Sequence, residues 1–167
     1  MKAFRVGLVL VVIGLVSLAF GWRLFGPRTI LVTSTSMEPS FSPADQVTYV
    51  RSKDLERLKV GALVMVRSPR DRQEIWLRRV LGLPGQRLAI DGSKVELDGE
   101  LVDLTSVGLP AGTDFGVVSE VVVPVGCVYL VGDNTATAID SRTVGPFRRQ
   151  ELAGVVRSVK KVDGKPK

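Results

Sequence analysis

Thr33-Ser34-Thr35-Ser36-Met37-Glu38-Pro39-Ser40-Phe41 sets four consecutive hydroxyl residues ahead of a proline. It follows Ile30 to Val32, an apolar run that reads as the end of a strand. On an extended backbone, residues two apart point to the same side, so Ser34 and Ser36 are expected to face one small site. Pro39 stops the strand and Ser40 opens a new turn. A serine held at a strand end beside a second hydroxyl has the parts of a nucleophile next to an oxyanion donor. The same residues also suit a plain Ser/Thr-rich turn between two strands, with side chains bonded to their own backbone.

Downstream, short Val-rich and alternating runs recur: Gln46 to Arg51, Ala62 to Arg67, Glu74 to Leu81, Leu88 to Ile90, Lys94 to Leu97 and Leu101 to Leu104. Val117 to Val123, Cys127 to Val131 and Ala153 to Val159 continue the pattern, and Gln150 to Leu152 suits one helical turn. Gly82-Leu83-Pro84-Gly85 reads as a tight turn, and Asp91-Gly92 and Asp98-Gly99 as hairpin turns. The fold class expected is a mostly β, antiparallel domain over residues 25–160, with a mobile basic tail over 161–167.

Ahead of this domain, Lys2 and Arg5 precede Val6 to Trp22, which carries no charge over 17 residues. That length is at the lower limit for spanning a bilayer, and Trp22 stands where an interfacial aromatic is expected. Residues 1–24 are therefore expected to form a transmembrane anchor. The N-terminus would be cytoplasmic, the main domain outside the plasma membrane, and membrane lipid a partner. A cleaved signal peptide, with Ser17-Leu18-Ala19 as the small-x-small site, is the alternative.

Composition excludes several classes. The chain has no His, which removes every Ser-His-Asp or Cys-His mechanism and most zinc sites. The single Cys127 cannot form an internal disulfide, and its apolar strand context suits a buried thiol. The net charge of +6 comes without the aromatic–basic interleaving of a nucleic-acid surface, since aromatics make up 6% of residues. No metal, cofactor or nucleic acid is expected.

Four segments, in order, resemble the bacterial type I signal peptidases, which are membrane-anchored serine proteases using a Ser–Lys pair. They are Ser34-x-Ser36-Met37-x-Pro39; Lys59-x-Gly61 with Leu63-Val64; Arg78-Arg79-Val80-x-Gly82-Leu83-Pro84-Gly85; and Gly132-Asp133-Asn134 through Asp140-Ser141-Arg142 and Gly145. The match covers nearly the whole chain, and the order and spacing of the motifs are what make it specific. The resemblance implies Ser36 as nucleophile, with the Ser34 hydroxyl and the Ser36 N–H in the oxyanion hole. It implies a supporting ion pair of Asp140 with Arg142, and Asp133 and Asn134 fixing a loop. It also implies a substrate bound as an added strand beside Ile30 to Ser34. Val32, Met37, Phe41, Trp76 and Leu77 would line shallow pockets for small residues, typically alanine, one and three positions before the cut. Each of these apolar residues equally suits ordinary core. Exported preproteins would be the partners.

Two positions depart from the family. Arg78 stands where the family carries its general-base lysine, and Ala138 where a serine usually orients that lysine. A buried lysine can shed its proton because desolvation lowers its pKa by about 3–5 units. Arginine stays protonated, with a pKa above about 12. Three readings follow: a peptidase using another base, with Lys59 as candidate; a slow enzyme in which Arg78 stabilises negative charge; or a catalytically silent relative that binds exported segments or partners an active paralogue.

Overall fold

In the computed structural model, residues 12–18, 20–21 and 26–162 are described. The body of the chain is two antiparallel sheets. The larger is built from β1 (Arg28–Leu31), β2 (Gln46–Val50), β3 (Leu63–Arg67), β4 (Ile75–Gly82), β9 (Cys127–Val131), β10 (Phe147–Arg148) and β11 (Leu152–Lys160). Its order is β1-β2-β11-β3-β4-β9-β10, so the last long strand returns between the second and third. The smaller sheet has the order β7-β6-β5-β8, from β5 (Arg87–Asp91), β6 (Lys94–Leu97), β7 (Glu100–Leu101) and β8 (Val117–Val122).

The expected strands appear with small boundary changes, because β-branched residues suit a pleated, half-buried surface. Asp98-Gly99 makes the hairpin turn joining β6 and β7, with both residues at positive φ (55° and 87°). That geometry fits a twisted two-residue connection, which favours Asp-Gly. Leu101 to Leu104 is corrected: the strand ends at Leu101, the Val102 N–H still donates to the Val95 carbonyl, and Leu104 lies buried in a turn. A four-residue helix, Ser141–Val144, and the two-residue strand Phe147–Arg148 follow the Gly132–Asp140 loop. Asp140 caps that helix by accepting from the Arg142 N–H, while the Thr143 side chain reaches back to the Asp140 backbone.

The core has three parts. One, around Leu81, Leu88, Tyr129 and Val131, joins the two sheets. The others, around Val64, Val80 and Leu130 and around Met37, Val47 and Met65, involve the larger sheet. Burying such side chains contributes about 1.5–3 kcal/mol apiece. Cys127 is free, half-buried and packed against the first cluster. Val162 N–H donates to Asp45, and Lys161 lies over the Phe41 ring at 5.9 Å.

The transmembrane helix expected over Val6 to Trp22 is overturned: among the described residues no helix is long and apolar enough to cross a membrane. The rest of that expectation, residues 1–11, 19 and 22–25, lies outside the described residues, as do residues 163–167 of the expected tail. The single-pass plasma-membrane topology and membrane lipid as a partner rested on that helix and fall with it.

Candidate active site

Ser34 and Ser36 are not on a strand. β1 ends at Leu31, and residues 36–40 form a turn that contains the cis Glu38–Pro39 bond. The turn still brings the two hydroxyls together, with 2.9 Å between Ser34 Oγ and Ser36 Oγ. The Ser36 N–H points to Ser34 Oγ at 3.4 Å. Ser34 is exposed and Ser36 half-buried.

β4 supplies the other half of the site. Successive side chains of a strand leave on opposite faces, so its twin arginines diverge. Arg78 stacks over Trp76, two residues earlier, at 4.9 Å from guanidinium carbon to ring centroid. Its Nη1 donates to Ser36 Oγ at 2.9 Å and to the Leu77 carbonyl at 2.6 Å. Nε and Nη2 both donate to the Ile139 carbonyl, at 3.2 and 2.9 Å. Burial pushes the Arg78 pKa down to about 10, partly opposed by Asp140 and Glu74, which still leaves it charged at neutral pH. Arg79 runs the other way into a buried two-pronged pair with Asp133, at 2.9 and 2.6 Å. It also donates to the carbonyls of Gly61 and Val107. Arg79 therefore ties β4 to three separate loops.

The loop from Gly132 to Asp140 packs against the serine turn. Asn134 donates its backbone N–H to the Ser36 carbonyl at 3.1 Å and its side-chain amide to the Thr35 carbonyl at 3.1 Å. Gly132 permits this approach: a Cβ there would lie 2.7 Å from Ser36 O and would collide with the Ala138 Cβ. Asp140, fully buried, accepts from Gly132 N–H and from Arg142 Nε and Nη2 at 2.9 and 2.8 Å. Arg142 also reaches the Thr135 carbonyl and lies over the Phe115 ring.

A cleft of about 80 Å³ runs from this site between residues 30–34 and Glu74 to Leu77, floored by Met37, Val47 and Met65. Val32, Met37, Trp76 and Leu77 line it, and Phe41 does not; Phe41 is buried in the adjoining core. β1 is the edge strand of the larger sheet, and β2 is its one strand partner among the described residues. Its outer edge is therefore open for strand addition.

Lys59 is exposed in the turn before β3, and no lysine bonds to Ser36 among the described residues. The Arg79–Asp133 pair is the feature that sequence reasoning missed. Its partners stand 54 residues apart, and only a buried position for both marks them as a pair. Among the described residues no group of His, Cys, Asp or Glu is gathered in a way that would hold a metal.

Residues 5–160 match a family described as signal peptidase, peptidase S26. The chain is 29% identical over 150 residues to the probable signal peptidase I-2 of Synechocystis, covering 83% of this chain and 65% of that protein. It is thus similar to just under two thirds of that relative's length. It is 27% identical over 164 residues to signal peptidase I of Bacillus licheniformis, covering 91% and 83%. It is 30% identical over 133 residues to the mitochondrial ATP-independent inner membrane protease subunit 1a of Arabidopsis thaliana, covering 76% and 68%.

Proposed function

The chain belongs to the signal peptidase family, peptidase S26, and from that premise we propose that it is a slow serine endopeptidase acting on exported preproteins after small residues. The substrate lies extended along the open edge of Ile30 to Ser34, in the cleft it shares with Trp76 and Leu77. Side chains before the cut enter the shallow floor at Val32, Met37 and Met65. Ser36 Oγ attacks the carbonyl. The Ser34 hydroxyl and the Ser36 N–H receive the oxyanion, and the Arg78 charge stabilises it from behind.

The observation that carries this reading is the 2.9 Å contact from Arg78 Nη1 to Ser36 Oγ. It keeps the geometry of a nucleophile held from β4 and changes the chemistry. A guanidinium nitrogen donates and does not accept, so Arg78 lowers the energy of the developing alkoxide without taking its proton. The proton leaves to water or hydroxide; as the oxyanion collapses the C–N bond breaks and the leaving amine takes a proton from water, and a second water then hydrolyses the acyl-serine. Without a positioned general base, about 10²–10⁴-fold of rate is missing. Asn134 holds the turn through the Ser36 and Thr35 carbonyls, and Asp140 with Arg142 braces the loop that carries the Ile139 acceptor.

The test is prolonged incubation of the protein with a labelled preprotein, with products mapped by mass spectrometry. Cleavage after a small residue that disappears in Ser36→Ala supports the reading. The joint replacements at Arg78 and Ala138 favour a second reading, a catalytically silent relative that binds exported segments in the same cleft. Binding of the preprotein with no cleavage at any pH would select it.

A further inference from the structure

Arg78 is a buried cation without a carboxylate of its own. It is 3% exposed, and no ion pair joins it to an acid among the described residues. The two buried carboxylates of the site are committed elsewhere, Asp133 to Arg79 and Asp140 to Arg142. Three guanidinium groups thus face two carboxylates, and one positive charge is left over behind the serine pair. Glu74 lies exposed along the cleft, where water screens it. Buried charges are ordinarily paired, because removing an ion from water costs several kcal/mol.

The direction of the hydrogen bonds adds to this. Because Arg78 can only donate, Ser36 Oγ accepts from it. The serine's own proton is then free to be donated, to Ser34 or to a ligand. In a hydrolase whose base is a neutral amine, that proton points back into the base. Here the Ser34 and Ser36 hydroxyls bond to each other at 2.9 Å, which leaves one of their two protons for a ligand, and the fixed Arg78 charge stands behind them. A carboxylate answers that arrangement better than an amide carbonyl does.

We propose that the Ser34–Ser36 pair, backed by Arg78, binds the free C-terminal carboxylate of a peptide ending in a small residue. The inference rests on the reading that an extended peptide occupies the cleft beside Ile30 to Ser34. The ligand class is a segment that has already been cut. Such a segment leaves its new carboxylate at Ser36 and its last side chains over Val32 and Met37. The site therefore retains product, and cut ends outcompete uncut chains.

Fluorescence anisotropy of the full chain with labelled peptides tests this. One peptide ends in Ala-x-Ala as the free acid, a second is its C-terminal amide, and a third is the free acid ending in Ala-x-Phe. The Ala-x-Ala acid is expected to bind at least about tenfold more tightly than its amide. That preference should fall to within about twofold in Arg78→Gln and survive in part in Arg78→Lys. Should Arg78→Gln fail to fold, Ser34→Ala is expected to weaken the acid and leave the amide unchanged. Equal affinity for acid and amide overturns the carboxylate site while leaving the cleft reading intact. No binding of any peptide overturns the cleft reading itself. Equal affinity for the Phe and Ala acids overturns the small-residue requirement.

Discussion

Arg78 Nη1 stands 2.9 Å from Ser36 Oγ and can only donate to it. The hydroxyl is held as a nucleophile would be held, by a group that cannot deprotonate it. Four expected outcomes follow from that contact and from the pair formed by its neighbour Arg79.

Restoring a titratable amine should restore rate. Arg78→Lys with Ala138→Ser is expected to raise kcat/KM on a preprotein by about 10²-fold or more, the usual contribution of a positioned base. Ala138 adjoins Gly132 and precedes Ile139, whose carbonyl holds Arg78. Steady-state cleavage assays of the single and double variants check this. An unchanged double variant would show that the cleft, and not only the base, has diverged.

The pH profile should differ from that of a lysine enzyme. Burial brings the Arg78 pKa down only to about 10, so the guanidinium stays charged at neutral pH and is not the base. The base left is hydroxide, which grows tenfold per pH unit. Cleavage by the natural sequence should therefore rise with unit slope from pH 7 to about 9.5, with no plateau. In the double variant, Arg78→Lys with Ala138→Ser, a plateau should begin at lower pH, because burial depresses an amine from a lower starting point. The same unit slope in Arg78→Gln assigns the proton to hydroxide.

Ser34 and Ser36 should separate by role. Ser36→Ala is expected to abolish cleavage. Ser34→Ala should lower kcat by about 10²–10³-fold with little change in KM, the pattern of a lost oxyanion donor. A larger effect on KM than on kcat would instead place Ser34 in ground-state binding.

Asp133→Asn should destabilise the fold by about 3–5 kcal/mol, because it leaves the Arg79 guanidinium buried with its charge unmatched. Replacing both, as Arg79→Met with Asp133→Leu, should recover most of that loss. Urea denaturation followed by circular dichroism measures each variant. If the single change is harmless, the pair is not the strut between β4 and the Gly132–Asp140 loop that its geometry suggests.

Local chemistry was readable where it acts over a few residues. The apolar runs of β4 and β9, the Asp98-Gly99 hairpin and the proximity of two hydroxyls two residues apart all lie in short windows. The reason given for the hydroxyls, an extended strand, was not the one the chain uses: a turn joins them. Leu101 to Leu104 misled because apolar spacing alone does not distinguish a strand from a turn whose leucine enters the core. The Ser141–Val144 helix had a signal in Asp140 and Thr143, but a four-residue helix is too short for periodicity to show. The N-terminal apolar run is the largest error. Hydropathy reports a preference for lipid, and among the described residues no helix is long and apolar enough to cross a membrane.

Residue type, short-range pattern and motif order were enough to read the antiparallel β architecture, the lack of histidine chemistry and the family. That Arg78 meets Ser36 across 42 residues and Arg79 meets Asp133 across 54 emerges on folding alone. A strand sends neighbouring side chains to opposite faces. What each arginine finds there depends on loops that folding brings in from far along the chain.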